Sequence, residues 1–418
     1  MGRRRSLGRQ FRWLWAAYAV STYGSGFGFG AMSIIAIRVL HAGPGQVSLL
    51  TSVGLAAGAL LAIPLGPWVE FRRKRPVMIA MDLLRFGAQV TVPIAYLLGW
   101  LTFVQLLLVT VVVAGAKIAF QAASGAHLKA LVKPDDLLVA NGRFESTTWS
   151  SLVVGPAVGG AAIGLVGATA SITADAASYL LSALGIRMIG GREPRPPEPD
   201  GPRPTFRDLP DSWRYILTHP GLRGPFFNRL LVGSLILCTE PLLSVLMLDH
   251  LHFQPWQYGL AFGAPCIGGL LGSRLSRRLV ARFGQTRVML IFGTLSVGWP
   301  IGLAFIPAGT PGLLLVIGLQ LALVTSMGIF NPVIATYRLE QTAPERIART
   351  LSAWSVSSSA TTAAMTALWG LLAELVGLRA AIAAAGVLAL PTPLLLPRAT
   401  KATAASSHPA ADAVAATT

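Results

Sequence analysis

Among the ionisable side chains inside apolar runs of the sequence, five could do chemistry. Lys117 falls in the run 102–126, Asp175 in 169–190 and Glu240 in 224–248, the last directly before Pro241. Asp82 and Arg85 sit three residues apart in the run 76–99. Charge within hydrocarbon is costly, and residues that carry it there mark substrate paths, ion paths or paired structural sites. A carboxyl in such a place can alternate between protonated and charged forms as its surroundings change, which is the chemistry of a proton carrier. Glu240 is the first candidate for that role; the plain alternative is an acid near the outer surface, close to Asp249. Lys117 suits an anionic cargo, or a countercharge that alternates with a carboxylate. The rise of 1.5 Å per residue sets Lys117 and Glu240 about 12 Å apart in depth, so no direct ion pair is expected between them. Asp175 reads mainly as structural, with proton transfer as its second role.

At i,i+3 spacing Asp82 and Arg85 share a helix face, which makes them a structural or gating pair. Asp82 is also within reach of the basic run Arg72–Arg75. Polar and soft side chains complete a candidate cavity: Tyr23, Gln121 one turn after Lys117, and Gln320, Met327 and Asn331, spaced seven and four apart on one face. Apolar walls with a few polar anchors suit an amphipathic small molecule. Other chemistry finds no support in the sequence. No G-x-x-x-x-G-K-[ST] loop is present, so ATP is not the expected drive. The six His make no metal-spaced cluster, and Cys238 and Cys266 read as small apolar residues. No cofactor and no enzymatic activity are expected.

The elements that hold these residues are membrane helices. The chain has 418 residues, 53% apolar and only 12% charged, against about 25% charged in a soluble domain. Apolar stretches of about 20 residues, enough to cross the hydrocarbon, recur at 12–38, 46–68, 76–99, 102–126, 145–166, 169–190, 224–248, 256–279, 287–307, 311–336, 351–374 and 379–397. The net charge of +17 would suggest nucleic acid in a soluble protein. Here the Lys and Arg residues concentrate in alternate connections, as Arg72–Arg75, Lys129 to Arg143, Arg274 to Arg287 and Arg338 to Arg349 show. Such alternation sets topology, not a nucleic-acid surface, and places both termini on the cytoplasmic side of the membrane. Residues 1–190 and 224–397 then form two six-helix bundles, 191–223 a Pro- and Arg-rich cytoplasmic linker and 398–418 a disordered tail. RDLPDSWRYILTH within the linker reads as a short interfacial helix. VEFRRKRPVMI echoes ARFGQTRVMLI about 211 residues on, as a parallel internal repeat would. The partners expected are a small molecule, protons and the bilayer, with the chain acting as a monomer.

These motifs resemble the major facilitator superfamily. The turn from Gly66 to Arg75 is similar to its signature G-x-x-x-D-R-x-G-R-R. Gly66 stands at the glycine, Glu70 at the aspartate and Lys74 and Arg75 at the final basic pair, while Phe71 and Arg73 depart from it. GPAVGG, with Gly155, Pro156, Gly159 and Gly160, resembles the fifth-helix motif of drug antiporters, with Ser151 where an earlier glycine is usual. MDLLRFG, TADAASYLLSALGIRMI and NPVIATYRLEQTAPERIARTLSAW resemble the bacterial branch of exporters similar to enterobactin and macrolide efflux proteins. The resemblance implies twelve helices in two pseudo-symmetric bundles and alternating access. It also implies a latch at Gly66, Glu70, Lys74 and Arg75, supported by Asp82 and Arg85, that holds the outward-facing state. Helices one, four, seven and ten would line the cavity, which brings in Lys117 and Glu240. Export of a drug, natural product or siderophore by proton antiport is the function implied; nutrient uptake and a non-transporting sensor are the alternatives.

Overall fold

Length and apolarity dictate helices, because a backbone in hydrocarbon must satisfy its own hydrogen bonds. The computed structural model describes residues 7–133, 136–190, 193, 209–343 and 346–397. In the first half, α1 (Gly8–Phe27) and α2 (Ala31–Arg38) form one broken span. It is followed by α3 (Pro44–Glu70), α4 (Lys74–Leu97), α5 (Phe103–Leu131), α6 (Leu137–Val166) and α7 (Ala168–Arg187). A short α8 (Leu209–Thr218) precedes the second half. There α9 (Pro220–Leu237) and α10 (Thr239–Val245) make the seventh span, and α11 (Pro255–Gly263) with α12 (Cys266–Phe283) the eighth. The rest are α13 (Gln285–Gly298), α14 (Thr310–Glu340), α15 (Ile347–Val376) and α16 (Leu378–Ala389).

Ten helical segments among the described residues are long and apolar enough to cross a membrane. The sixth and eighth spans complete the twelve expected from the sequence. They are less apolar for visible reasons. α7 is built mainly of Ala, Ser and Thr with Asp175 inside it, and the end of α12 carries Arg274, Arg277, Arg278 and Arg282.

The internal repeat is sharper in the structure than in the sequence echo noted above. His41 and His252 are the two described non-glycine residues with positive φ, at 52° and 54°. Each is followed by a helix with Pro at its start, and Gln at the third position accepts the hydrogen bond of a backbone N–H. Gly43 donates to Gln46 Oε1 at 3.2 Å, and Gln254 donates to Gln257 Oε1 at 2.8 Å. HAGPGQ and HFQPWQ are thus the same corner, 211 residues apart. Gly167 and Gly377, both at φ 87°, make the same junction before the last span of each half. That φ is open to glycine and strained for other residues.

At the end that carries the basic connections, each half has its own apolar core: Phe11, Leu14, Val77, Met78 and Ile186 in the first, Met289, Ile329, Phe330 and Leu396 in the second. At the opposite end a single core joins the halves, from Ile35 and Val47 to Leu242, Tyr258 and Trp369. α3 packs along α15, and α6 along α11. The linker expected over 191–223 divides: α8 docks on the second half, with the Trp213 indole N–H donating to Ser357 Oγ at 3.0 Å and Ile216 buried beside Trp354. The tail expected to be disordered, 398–418, lies outside the described residues.

Candidate functional site: a two-lobed cavity between the bundles

The broken first span and the glycine-rich α6, the fifth span, set the waist of the cavity. Ser151 Oγ donates to Thr22 O at 2.8 Å, and its space exists because Gly26 faces it. A Cβ on Gly155 would lie 2.6 Å from Gly26 Cα, and one on Gly159 would strike Phe27 O, so both glycines serve the α1–α6 contact. Gly160 serves a different one: its Cβ would lie 2.6 Å from Pro255 O and 3.0 Å from Gly259 Cα, across the two halves. Within the second contact pair, Gly370 faces Ser48 in the same way. Gly160 and Gly370 are 210 residues apart, and Ser48 and Gly259 are 211 apart, so the two seals are repeat-related. Two described hydrogen bonds cross between the halves, and both lie at this end. Gly45 N–H donates to Glu374 Oε1 at 3.1 Å, and Arg38 donates to Phe253 O at 3.2 Å.

Behind this closure lie two lobes that share Phe29, Leu152 and Pro156. The first, about 250 Å³, is lined by Tyr18, Ser25, Arg85, Lys117 and Gln121. The second, about 300 Å³, is lined by Glu240, Gln320, Met327 and Asn331 with Trp149, Phe262 and Cys266. Lys117 is exposed in its lobe, and no hydrogen bond or ion pair among the described residues links it to Glu240. Glu240 is half-buried just past the break between α9 and α10, where Cys238 ends one helix and Pro241 begins the next turn. It therefore faces the cavity instead of standing as a surface acid.

Tyr23 is a correction. It lies outside both lobes, in a separate groove with Trp15, Arg143 and Ser150, and pairs with Ser150 Oγ at 2.6 Å. At 100° per residue, the cavity face of α1 is Tyr18, Thr22 and Ser25, and Tyr23 is turned away from it. Tyr18 is the aromatic residue of α1 that the cavity uses, hydrogen-bonded to Thr148 at 2.8 Å.

Asp82 and Arg85 do pair, with Arg85 held between the rings of Phe120 at 4.6 Å and Tyr179 at 4.3 Å. Asp82 does not take a residue of the basic run, because that run is engaged elsewhere. Lys74 Nζ donates to Val69 O at 2.9 Å, in the last turn of α3, and to Arg72 O at 2.8 Å, just past its end. The Arg75 guanidinium donates to Ile189 O at 2.8 Å and Gly190 O at 2.9 Å, and faces His127. The backbone N–H groups of Lys74 and Arg75 donate to the Glu193 carboxylate. These bonds tie the turn to the end of α7 and to Glu193 just beyond it. The side-chain surroundings of Gly66 and Glu70 lie outside the described residues.

Asp175 stands apart from the cavity. Its Oδ2 accepts from Gln89 Nε2 at 2.7 Å and from Tyr179 OH at 3.4 Å. Gln89 and Tyr179 were not singled out in the sequence. Their signal was present as spacing: Gln89 follows Asp82 and Arg85 on one face of α4, and Tyr179 is one turn after Asp175. Glu193, within a Pro-rich stretch of the linker, had no such signal.

A sequence profile described as Major Facilitator Superfamily matches residues 14–337 and 226–416. The Multidrug efflux pump Tap of Mycobacterium tuberculosis (strain ATCC 25618 / H37Rv) is 27% identical over 279 residues, 63% of this chain and 64% of that protein. The match thus spans a little under two thirds of that relative. The protein of the same name from Mycolicibacterium fortuitum is 24% identical over 345 residues, covering 79% of this chain and 81% of its own. Among solved structures, a bacterial homologue of the iron transporter ferroportin in an inward-facing state superposes with a TM-score of 0.72 at 19% identity, over 93% of this chain and 99% of that one. The nucleoside transporter NupG does so at 0.70 and 13%, over 93% and 99%. Twelve spans in two repeat-related bundles, the glycine seals between them and a profile match across nearly the whole chain agree: this protein belongs to the Major Facilitator Superfamily and is a multi-pass membrane transporter, not an enzyme.

Proposed function

We propose that this transporter exports amphipathic small molecules from the cytoplasm by alternating access, coupled to inward proton movement. The observation that carries the reading is the shared waist of the two lobes. It sets a cation, Lys117, on one side of an apolar constriction and a carboxyl, Glu240, on the other, with one bundle contributing each. A cargo with an apolar body and one charged end fits such walls. A lone carboxyl facing the cavity from a helix break is suited to take up and release a proton as the bundles rock. With the basic connections in the cytoplasm, the closed end faces outward and the cavity is open to the inside. The latch of Lys74 and Arg75 across the halves would then form in the opposite state. The names of the relatives, multidrug efflux pumps, support the same direction.

The test is retention of a panel of lipophilic dyes and macrolide-like compounds by cells, with and without expression and with and without a protonophore. Expression lowers retention, the protonophore restores it, and Glu240→Gln behaves as the empty cell. Retention that is unchanged for every compound, or lowered equally in the presence of the protonophore, would overturn the reading.

A further inference from the structure

The first bundle holds a second polar pocket, of about 310 Å³, that shares no lining residue with the two-lobed cavity. It lies among α2, α3, α4, α5 and α7, beside the break at Gly28 in the first span, and Asp175, Gln89, Ser33, Thr51 and Thr110 line it. Asp175 and Gln89 are each only 5% exposed. Asp175 Oδ1 and Gln89 Oε1 have no hydrogen-bond partner. Both are acceptors. The orientation of the amide is fixed by the carboxylate, since the Gln89 nitrogen must face Asp175 Oδ2 and turns its carbonyl oxygen away. The hydroxyl protons of Thr51 and Thr110 are committed to Val47 O at 3.2 Å and Leu106 O at 2.8 Å, so these two side chains present oxygen lone pairs to the pocket. A Cβ on Gly28 would lie 3.0 Å from Asp175 Oδ2, so the glycine is what lets the broken helix approach the carboxyl.

Among the described residues no cation makes a direct ion pair with Asp175; Arg85 and Lys117 act on it from a distance. Arg85 of α4 is bound to Asp82 and held between two rings, Lys117 of α5 projects into the transport cavity, and Tyr179 of α7 is a neutral donor. A buried carboxylate that no cation touches directly, with an open oxygen of its own and another on Gln89, calls for a ligand that brings positive charge and no lone pairs of its own. Hard oxygen ligands select an alkali or alkaline-earth ion, and a single carboxylate among neutral oxygens balances one positive charge.

We propose that this pocket is a sodium site, held by the Asp175 carboxylate and the Gln89 carbonyl oxygen with the Thr51 and Thr110 hydroxyls around them. It joins the break of the first span to α4 and α7, and is independent of any role of Glu240.

The test is thermal unfolding of the purified full chain in detergent, followed by its tryptophan fluorescence, with sodium exchanged for choline at constant ionic strength and pH. Binding of radioactive sodium by equilibrium dialysis is the second readout. Sodium should raise the unfolding temperature by a few degrees in a saturable way, and retained radioactive sodium should be displaced by unlabelled sodium. Asp175→Asn, which keeps the shape, and Gln89→Leu, which removes one oxygen, should both lose the shift and the retained ion. Glu240→Gln should keep both, which separates this site from the export reading. An unfolding temperature indifferent to sodium, or an equal shift in Asp175→Asn, would show an ordinary water-filled polar pocket and overturn the proposal. A shift seen only on acidification and lost in Asp175→Asn would assign the pocket to a proton. One seen with calcium and not with sodium would assign it to a divalent ion. Either result also overturns it.

Discussion

Arg85 illustrates how much a single buried charge depends on its partners. Its guanidinium is balanced by Asp82 and cradled by Phe120 and Tyr179, all within one bundle. Removing one member of a buried pair strands the other, at a cost of about 3–5 kcal/mol, whereas removing both can be nearly neutral. Arg85→Met should therefore lower the unfolding temperature markedly, and Asp82→Asn in the same chain should recover much of that loss. Thermal scans of the two single variants and the double variant in detergent measure this coupling directly; simple additivity would deny it. At the cavity, Glu240→Gln should remove the protonophore-sensitive part of export. Lys117→Ala should weaken export of anionic cargo by about tenfold or more, the size of one charge-assisted contact, and leave cationic cargo less affected. Transport into inverted vesicles with one cargo of each charge separates the two. Of these residues, the sequence showed Glu240, Lys117, Asp82 and Arg85 plainly, because charge in an apolar run is conspicuous. Tyr23 was misplaced because several polar residues crowd α1, and only neighbouring helices decide which face looks inward.

At the scale of the elements, the closed end depends on helices that touch through glycine. α6 meets α11 at Gly160 and Gly259, and α3 meets α15 at Ser48 and Gly370. A side chain larger than hydrogen at Gly160 or Gly370 meets backbone or a neighbouring Cβ, which cannot yield cheaply. Gly370→Val should prevent this end from closing. A cysteine placed at Thr239 in a cysteine-free background, buried here, should then react faster with a small membrane-impermeant reagent added outside, and export should fall. Unchanged labelling would place the closure elsewhere. Glu374 adds a hydrogen bond at the start of α3, where a carboxylate also meets the positive end of the helix. The GPAVGG run announced such packing in the sequence. Its division between two partners, α1 for Gly155 and Gly159 and α11 for Gly160, did not follow from the motif.

For the whole molecule, the basic connections all sit at one end and the shared apolar core at the other. In the proposed orientation, with both termini in the cytoplasm, Ala308→Cys in the connection before α14 should react with a membrane-impermeant maleimide in intact cells, and Ser407→Cys in the tail only after permeabilisation. The reverse pattern would invert the orientation and with it the direction of opening. The two halves should also tolerate cleavage between residues 194 and 208 without separating, since α3–α15 and α6–α11 hold them together. Co-purification of the halves after cutting a protease site introduced there checks this.

The sequence by itself determined the class, the number of spans and the alternation of charged ends, because hydrocarbon imposes one simple rule on every stretch of about 20 residues. It also exposed the buried charges and the glycine motif. The repeat was only hinted at, since two diverged halves share a backbone path more than residue types; the paired corners at His41 and His252 became visible once φ angles and capping bonds could be compared. Which charges meet, which share a cavity and which are left with open oxygens was decided by tertiary structure alone. Asp82, Arg85, Gln89, Asp175 and Tyr179 lie on two helices more than 80 residues apart, and helix rotation against a neighbour is set by packing of small residues, not by local pattern.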